Sequence, residues 1–355
     1  MRPPHLSNRD DFSPATKTEL ANRVAHRCSA PSCGAATIGP SDARKGRLTN
    51  IGVGAHITAA AKGGPRYDGS LSPEERAGYG NGIWLCANHA KLIDDNEDRY
   101  TASLLRAWKK NAERNARVRV GRPADSRVPG LLLDHAVVIP KGDENRGLAR
   151  FLDDVGALEA WGPVVFEATR FLAYETALNA FEHGGAESLA VRTQKGCLYL
   201  SYEAPEFGPS GLEKTKGNGG AAALRAFKEQ CDGVMELTYR HRDGVNEWTV
   251  VDLSRGLNDN HPCALRLARG IAQGGDFTRV EGCAEVHIYV PDTDRIFSFS
   301  DAGKLARQLV SWLPDRAYVF HGVSKDLHLR AFIAERLSRV RFAPSRQRTD
   351  GGEAL

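Results

Sequence analysis

Apolar positions along the chain repeat with two different periods. Between Thr101 and Arg117 they recur every three to four residues. Leu104, Leu105, Trp108 and Ala112 share one face, and Lys109, Lys110 and Arg114 lie off it, which predicts a helix packed on one side. From about Leu131 helical and alternating stretches follow one another. The pattern predicts helices over residues 146–158, 164–182, 219–230, 264–273, 301–313 and 325–337. It predicts strands over 189–193, 198–203, 234–240, 247–252, 284–290 and 317–320. Such a mixture reads as an α+β chain with layered α/β packing in its larger part. Gly and Pro break the periodicity between the two parts, so residues 119–130 read as a linker. The expected organisation is a first domain at 1–118, a second at 131–295, a small α/β lobe at 296–342 and a disordered tail at 343–355.

Composition narrows the class. With 41% hydrophobic and 26% charged residues the chain reads as an ordinary soluble protein. No apolar run approaches the roughly 18–20 residues of a membrane span, and the opening Met-Arg-Pro-Pro-His has no apolar signal core. A cytoplasmic protein without a membrane partner is expected. Seven cysteines, an odd count, argue for a reducing compartment and against a disulfide scaffold. Charge is unevenly placed. Residues 1–130 hold 21 Lys and Arg against 13 Asp and Glu, whereas residues 131–355 hold 27 against 31. A polyanion is therefore expected at the front half, the alternative being a solvated surface with no partner.

Chemistry concentrates in that front half. Cys28 and Cys33 form one short-spaced pair, and Cys86 and His89 a second. Two such pairs can close a tetrahedron around one ion, so the four residues predict a structural Zn²⁺ site of Cys3His type. Cys197, Cys231, Cys263 and Cys283 lack ligand spacing and read as buried small hydrophobes. Between the two pairs lie Gly54-Ala-His56-Ile, the loop Gly63-Gly-Pro65-Arg66-Tyr67, Ser72-Pro-Glu-Glu75-Arg76 and Asn81-Gly-Ile-Trp-Leu-Cys86, followed by Leu92-Ile-Asp94 and Trp108-Lys109. In this order and spacing they resemble the HNH nucleases, the ββα-metal type in its zinc-knuckle form, as found in bacterial anti-phage effectors. The resemblance covers about residues 12–118, one third of the chain.

The resemblance implies a metal-dependent endonuclease acting on double-stranded DNA with low sequence specificity. His56 would be the general base, since imidazole titrates near working pH. Asn81 would hold the His56 strand in register, and Mg²⁺ or Mn²⁺ would stabilise the leaving oxygen. Lys62 and Arg66 would contact phosphates. Two positions depart from the family pattern: Ala55 stands where an acid or His often precedes the base, and Ala90 where a His or Asn often follows the middle Asn. Asp94 is the first candidate ligand for the catalytic ion and Asp95 the second, with a purely local pairing of Asp94 as the alternative. If both departures abolish the ion site, the same domain would bind DNA without cutting it.

The second half carries a weaker signature. Glu175 and Asn179 lie four residues apart on an otherwise apolar helix, an arrangement that often marks a site. They resemble the first box of the GHKL ATPases. Glu206 and Gly208 stand about where that family reads adenine, and Gly217 and Gly219 about where its phosphate lid lies. The adenine-reading Asp is replaced by Glu206, so a degenerate GHKL-like domain is implied. ATP or another nucleotide is its candidate ligand, and a polar helix network capped at Gly184 is the alternative. The 296–342 lobe is similar to the STAS-like domains that accompany some GHKL modules, and His321 within it reads as structural. This half is expected to gate the nuclease in response to a nucleotide or protein activator. A cyclic oligonucleotide sensor and an active ATPase remain alternatives. Because one HNH site cuts one strand, a homo-oligomer, dimer or larger, is expected.

Overall fold

A computed structural model of the chain describes residues 9–41, 46–122, 130–214, 218–253, 261–267, 277–290, 298–321, 323 and 326–343. Gly217, most of the expected linker and residues 344–355 of the expected tail lie outside them. The chain is mixed α/β with several separate sheets. It divides into two compact units, one of residues 1–135 and 146–166, the other of 136–145 and 167–355.

In the first unit, helix α1 (Pro14–Arg23) starts on a Ser13 cap with proline in its first turn. Strands β1 (Ile38–Pro40) and β2 (Leu48–Asn50) pair antiparallel. Strand β3 (Gly52–His56) then pairs antiparallel with β4 (Gly82–Cys86), placing His56 opposite Gly82. The connection carries a short helix, α2 (Pro73–Arg76), closed by a capping box of Ser72 and Glu75. Helix α3 (Ala87–Asp95) follows β4 without a break, and α4 (Ala102–Arg119) follows on a Thr101 cap. Ile57, Ile83, Leu85, Ile93, Leu104, Leu105 and Trp108 form the buried interior.

Helices α5 (Glu144–Asp154) and α6 (Ala157–Trp161) belong mostly to this unit, which so extends past the segment expected as a linker. The physical reason is one buried residue. Asp154 takes two hydrogen bonds from Arg99, at 2.9 and 2.7 Å, and its carbonyl accepts from Trp108 Nε1 at 2.8 Å.

The second unit holds most of strand β5 (His135–Pro140) and of helix α7 (Pro163–Glu182). Then come β6 (Ser188–Gln194), β7 (Cys197–Glu203), α8 (Pro209–Lys214), α9 (Asn218–Gln230), β8 (Met235–Arg242) and β9 (Val245–Asp252). The strands form one sheet in the order β5-β6-β7-β9-β8. Its two tight hairpins turn at Lys195-Gly196 and Asp243-Gly244, where all four residues have positive φ, as the favoured two-residue turns require.

A second sheet, parallel throughout, runs β10 (Ala264–Arg266), β11 (Glu285–Tyr289), β12 (Ala317–His321), β13 (Val340–Phe342). Helices α10 (Phe299–Trp312) and α11 (Leu327–Ala334) connect its later strands, and Val286, Ile288, Leu305, Leu309, Phe320 and Ile333 share its core.

Two expectations are corrected here. Residues 264–266 form β10 and not the start of a helix, because they pair with His287–Tyr289 of β11, and a tertiary ladder outweighs a weak local period. Residues 268–273 of that expected helix lie outside the described residues. Cys263 and Cys283 are not separate buried hydrophobes but a disulfide, 5.8 Å apart at Cα, because the two neighbouring strands begin beside each other. Among the described residues no helix is long and apolar enough to cross a membrane.

Candidate functional site

The Cys3His set converges as its spacing predicts. The Cys28 Sγ, Cys33 Sγ, Cys86 Sγ and His89 ligand atoms all lie within 4.8 Å of one another. Cys28 and Cys33 are brought together by a turn in which the Cys33 and Gly34 amides both donate to the Ala30 carbonyl. Cys86 ends β4 and His89 lies one turn into α3, at 3.3 Å from Cys86 Sγ through Nδ1. The Ser29 amide donates to the Trp84 carbonyl and joins the two halves. Burial pushes the Cys28 thiol up to about 12, so in the absence of a cation it stays protonated. Three thiols and one imidazole at this spacing fit Zn²⁺, which would hold the cysteines as thiolates.

About the end of β3 a hydrogen-bonded circuit fixes His56. Its Nε2 lies 3.1 Å from the Asp10 carbonyl, and its ring stacks on Phe12 at 3.8 Å and 8°. A carbonyl can only accept, so Nε2 carries the proton and Nδ1 keeps its lone pair when the ring is neutral. Burial lowers the His56 pKa; the Asp10 hydrogen bond opposes this, as do the charges of Asp11 and Asp94. Asp10 is held in turn by Arg76 Nε at 2.7 Å, and the Arg76 carbonyl accepts from Asn81 Nδ2 at 3.0 Å. Asn81 closes the circuit. Its Oδ1 accepts from the Thr58 amide and hydroxyl at 2.9 and 2.8 Å, and its Nδ2 donates to the Thr58 carbonyl at 2.8 Å. Gly82 is required beside it, because a Cβ there would stand 2.5 Å from Leu20 Cδ1 and 3.0 Å from Phe12 Cζ.

Arg66 and Asp94 face the same region. Arg66 donates through Nε to the Ile57 carbonyl at 2.8 Å, and through Nη2 to the His56 carbonyl at 3.4 Å and to Asp94 Oδ1 at 3.0 Å. Its Nη1 donates to the Ile93 carbonyl. The guanidinium is buried and braces the end of β3 against α3. Asp94 itself is half exposed. Asp95 pairs with Lys91 on the outer face of α3, and Lys62 is exposed in the loop before Gly63. Among the described residues, the groupings of three or more His, Cys, Asp or Glu side chains that could hold an ion do not include His56, Asp94 or Asp95. Asp10 and Phe12 were not among the sequence candidates. Their only signal is local, a polar and an aromatic residue just before a capped helix, and nothing in it points to a residue 44 or more positions away.

In the second unit, Glu175 and Asn179 lie against the first turn of α9. A Cβ on Gly219 would stand 2.3 Å from Glu175 Oε2, and one on Gly220 would stand 3.1 Å from Asn179 Nδ2. Asn179 Nδ2 also donates to the Glu175 carbonyl at 2.6 Å. Burial raises the Glu175 pKa, and Glu182 adds to the rise. Gly208 is packed on the Tyr239 ring, while the Phe207 amide between it and the exposed Glu206 donates to Asn246 Oδ1 at 3.0 Å. The fully buried Asn246, absent from the sequence candidates, also donates to the Ala204 and Pro205 carbonyls. The structure therefore brings Glu175, Asn179 and Gly219 together, and it holds Glu206 and Gly208 in a loop fixed by β8 and β9.

No protein-family model matches the chain, and no curated protein matches it in sequence.

Proposed function

We propose that the first unit is an HNH-type, metal-dependent endonuclease that cuts double-stranded DNA with little sequence preference. One observation carries the reading: His56 ends β3 with its Nε2–H held by a backbone carbonyl and its Nδ1 without a hydrogen-bond partner among the described residues, and Arg66 Nη2 links its carbonyl to the half-exposed Asp94. That is the tautomer and the neighbourhood a general base for water needs. In this reading His56 Nδ1 takes the proton from the attacking water, and Asn81 and Arg66 keep the strand end in place. Lys62, exposed in the adjoining loop, contacts a phosphate; Arg66, whose guanidinium is engaged internally, acts as a brace.

A divalent ion would neutralise the leaving oxygen, and Asp94 is the carboxylate available to hold it. Mg²⁺ commonly binds through one or two carboxylates together with substrate phosphates, so a single Asp suits an ion that arrives with DNA. The second unit, through the Glu175–Asn179–Gly219 contact, would read a nucleotide or another activator and gate cutting, a plan suited to an anti-phage effector acting as an oligomer.

The test is cleavage of supercoiled plasmid with Mg²⁺ or Mn²⁺, alone and with ATP, cyclic oligonucleotides or phage lysate. Cutting that His56→Ala abolishes while bound zinc is retained is the expected result. A second reading, DNA binding without cleavage, is favoured by one feature: Arg66 already occupies Asp94 Oδ1, and Ala55 and Ala90 offer no donor. It predicts a DNA mobility shift by zinc-loaded protein and no nicking under any of these conditions.

A further inference from the structure

The parallel sheet of the second unit carries a polar cluster on one face. Along β11 the even positions, Val286 and Ile288, enter the apolar core, while Glu285, His287 and Tyr289 point the other way. Three elements meet there. Glu236 comes from β8, His287 from β11 and His321 from the end of β12. One ligand atom from each lies within 4.8 Å of the other two. His287 Nδ1 is 3.2 Å from Glu236 Oε1 and 3.1 Å from His321 Nε2. His287 is fully buried and the Glu236 side chain is 11% exposed.

Hydrogen bonds alone satisfy this geometry poorly. If His287 Nδ1 bears a proton, one N–H must serve both a carboxylate and an imidazole. If it bears none, its lone pair faces the carboxylate oxygen. A cation removes the conflict, because all three atoms then present lone pairs to it. The spacing suits a tetrahedral centre: bonds of about 2.0–2.1 Å imply ligand-to-ligand edges of about 3.3 Å.

Carboxylates stand near the second ring nitrogens, the kind of neighbour that metal-bound imidazoles use. With Nδ1 as ligand, His287 carries its proton on Nε2, which lies 3.4 Å from Glu285 Oε1. Glu285 is itself gripped by Arg341 at 2.6 and 3.2 Å. On the other side, the Cys263 amide donates to His261 Nδ1 at 3.2 Å. That bond leaves the His261 proton on Nε2, 3.4 Å from Glu236 Oε2, so His261 flanks the carboxylate and is not itself a ligand.

We propose that Glu236, His287 and His321 form a second metal site, distinct from the Cys3His centre, that takes a zinc-class divalent cation. Two imidazoles and one carboxylate are the donors, and the fourth position of the tetrahedron falls to water or an exogenous ligand. The inference does not depend on the nuclease reading.

The test is metal stoichiometry of the full chain after loading with Zn²⁺ and gel filtration, paired with Co²⁺ titration followed in the visible and near ultraviolet. Wild type should retain about two ions per chain. Cys86→Ser and Glu236→Gln should each lose one. With Co²⁺, Glu236→Gln and His287→Ala should keep the intense thiolate charge-transfer bands of the cysteine centre and lose only the weaker bands of a nitrogen and oxygen site. Retention of a single ion by wild type overturns the proposal. So does a second ion that persists unchanged in both variants. Glu236→Gln preserves shape, so it decides the matter should His287→Ala fail to fold, and the wild-type count stands without either.

Discussion

Removing the Asn81 side chain is the sharpest perturbation of the first unit. Asn81 and Thr58 are 5% and 2% exposed, and Asn81 serves the Thr58 amide, hydroxyl and carbonyl as well as the Arg76 carbonyl. Asn81→Ala orphans at least the two buried backbone groups of Thr58. Each buried unsatisfied group costs about 1–3 kcal/mol. The vacated volume can admit a water, which favours the lower half of that range, so the expected loss is about 3 kcal/mol. For a unit of about 150 residues this lowers Tm by about 6–12 °C. Asn81→Asp tests the same reasoning from the other side. It keeps the acceptor for the Thr58 amide but sets a carboxylate oxygen against the Thr58 and Arg76 carbonyls. That raises the folded-state pKa of the new carboxyl above its unfolded value. The neutral, O–H-donating form is then favoured by folding, so the variant should gain stability as pH falls from 7.5 through the folded pKa. Thermal melts of zinc-loaded protein at pH 5.5 and 7.5, with hydrogen exchange at the Thr58 amide, read both effects. A melt of Asn81→Ala within about 2 °C of wild type would refute the argument. An aspartate variant whose stability relative to wild type is greater at pH 7.5 than at pH 5.5 would do the same.

Three further outcomes follow from the same geometry. Asp154→Ala leaves Arg99, 33% exposed, without its carboxylate, and should cost about 3 kcal/mol in urea unfolding, the lower end for a broken buried pair. Because burial lowers the His56 pKa, the base stays neutral to lower pH than a free histidine; the acidic limb of plasmid cleavage should fall below the ordinary value of about 6.5, and a limb above it contradicts His56 as the base. Gly82→Ala drives a methyl into Leu20 and Phe12, so it should cost about 1–3 kcal/mol by thermal melting, with slower cleavage as Phe12 shifts off the His56 ring.

Much of the chain was legible from local pattern. The period of Leu104, Leu105 and Trp108 marks α4 because a helix repeats its buried face every three to four residues. The strands at 189–193, 198–203, 234–240 and 247–252 follow from alternation, and only the glycines of the intervening turns, Gly196 and Gly244, are at ease at positive φ. Cys28, Cys33, Cys86 and His89 announce one centre because a short loop fixes the reach within each pair, whatever the rest of the fold does. Tertiary structure decided which faces meet. Periodicity states that Glu285, His287 and Tyr289 share one side of a strand, but not that Glu236 and His321 lie opposite. The same gap hid the Asp10 carbonyl and the Phe12 ring on His56, the hold of Asp154 on Arg99 and Trp108, the pairing that makes 264–266 a strand, and the Cys263–Cys283 bond. Local sequence biases secondary structure and sets the reach of neighbouring residues, through backbone sterics and side-chain period. Contacts between distant positions depend on how whole elements pack, and no short-range rule carries that information.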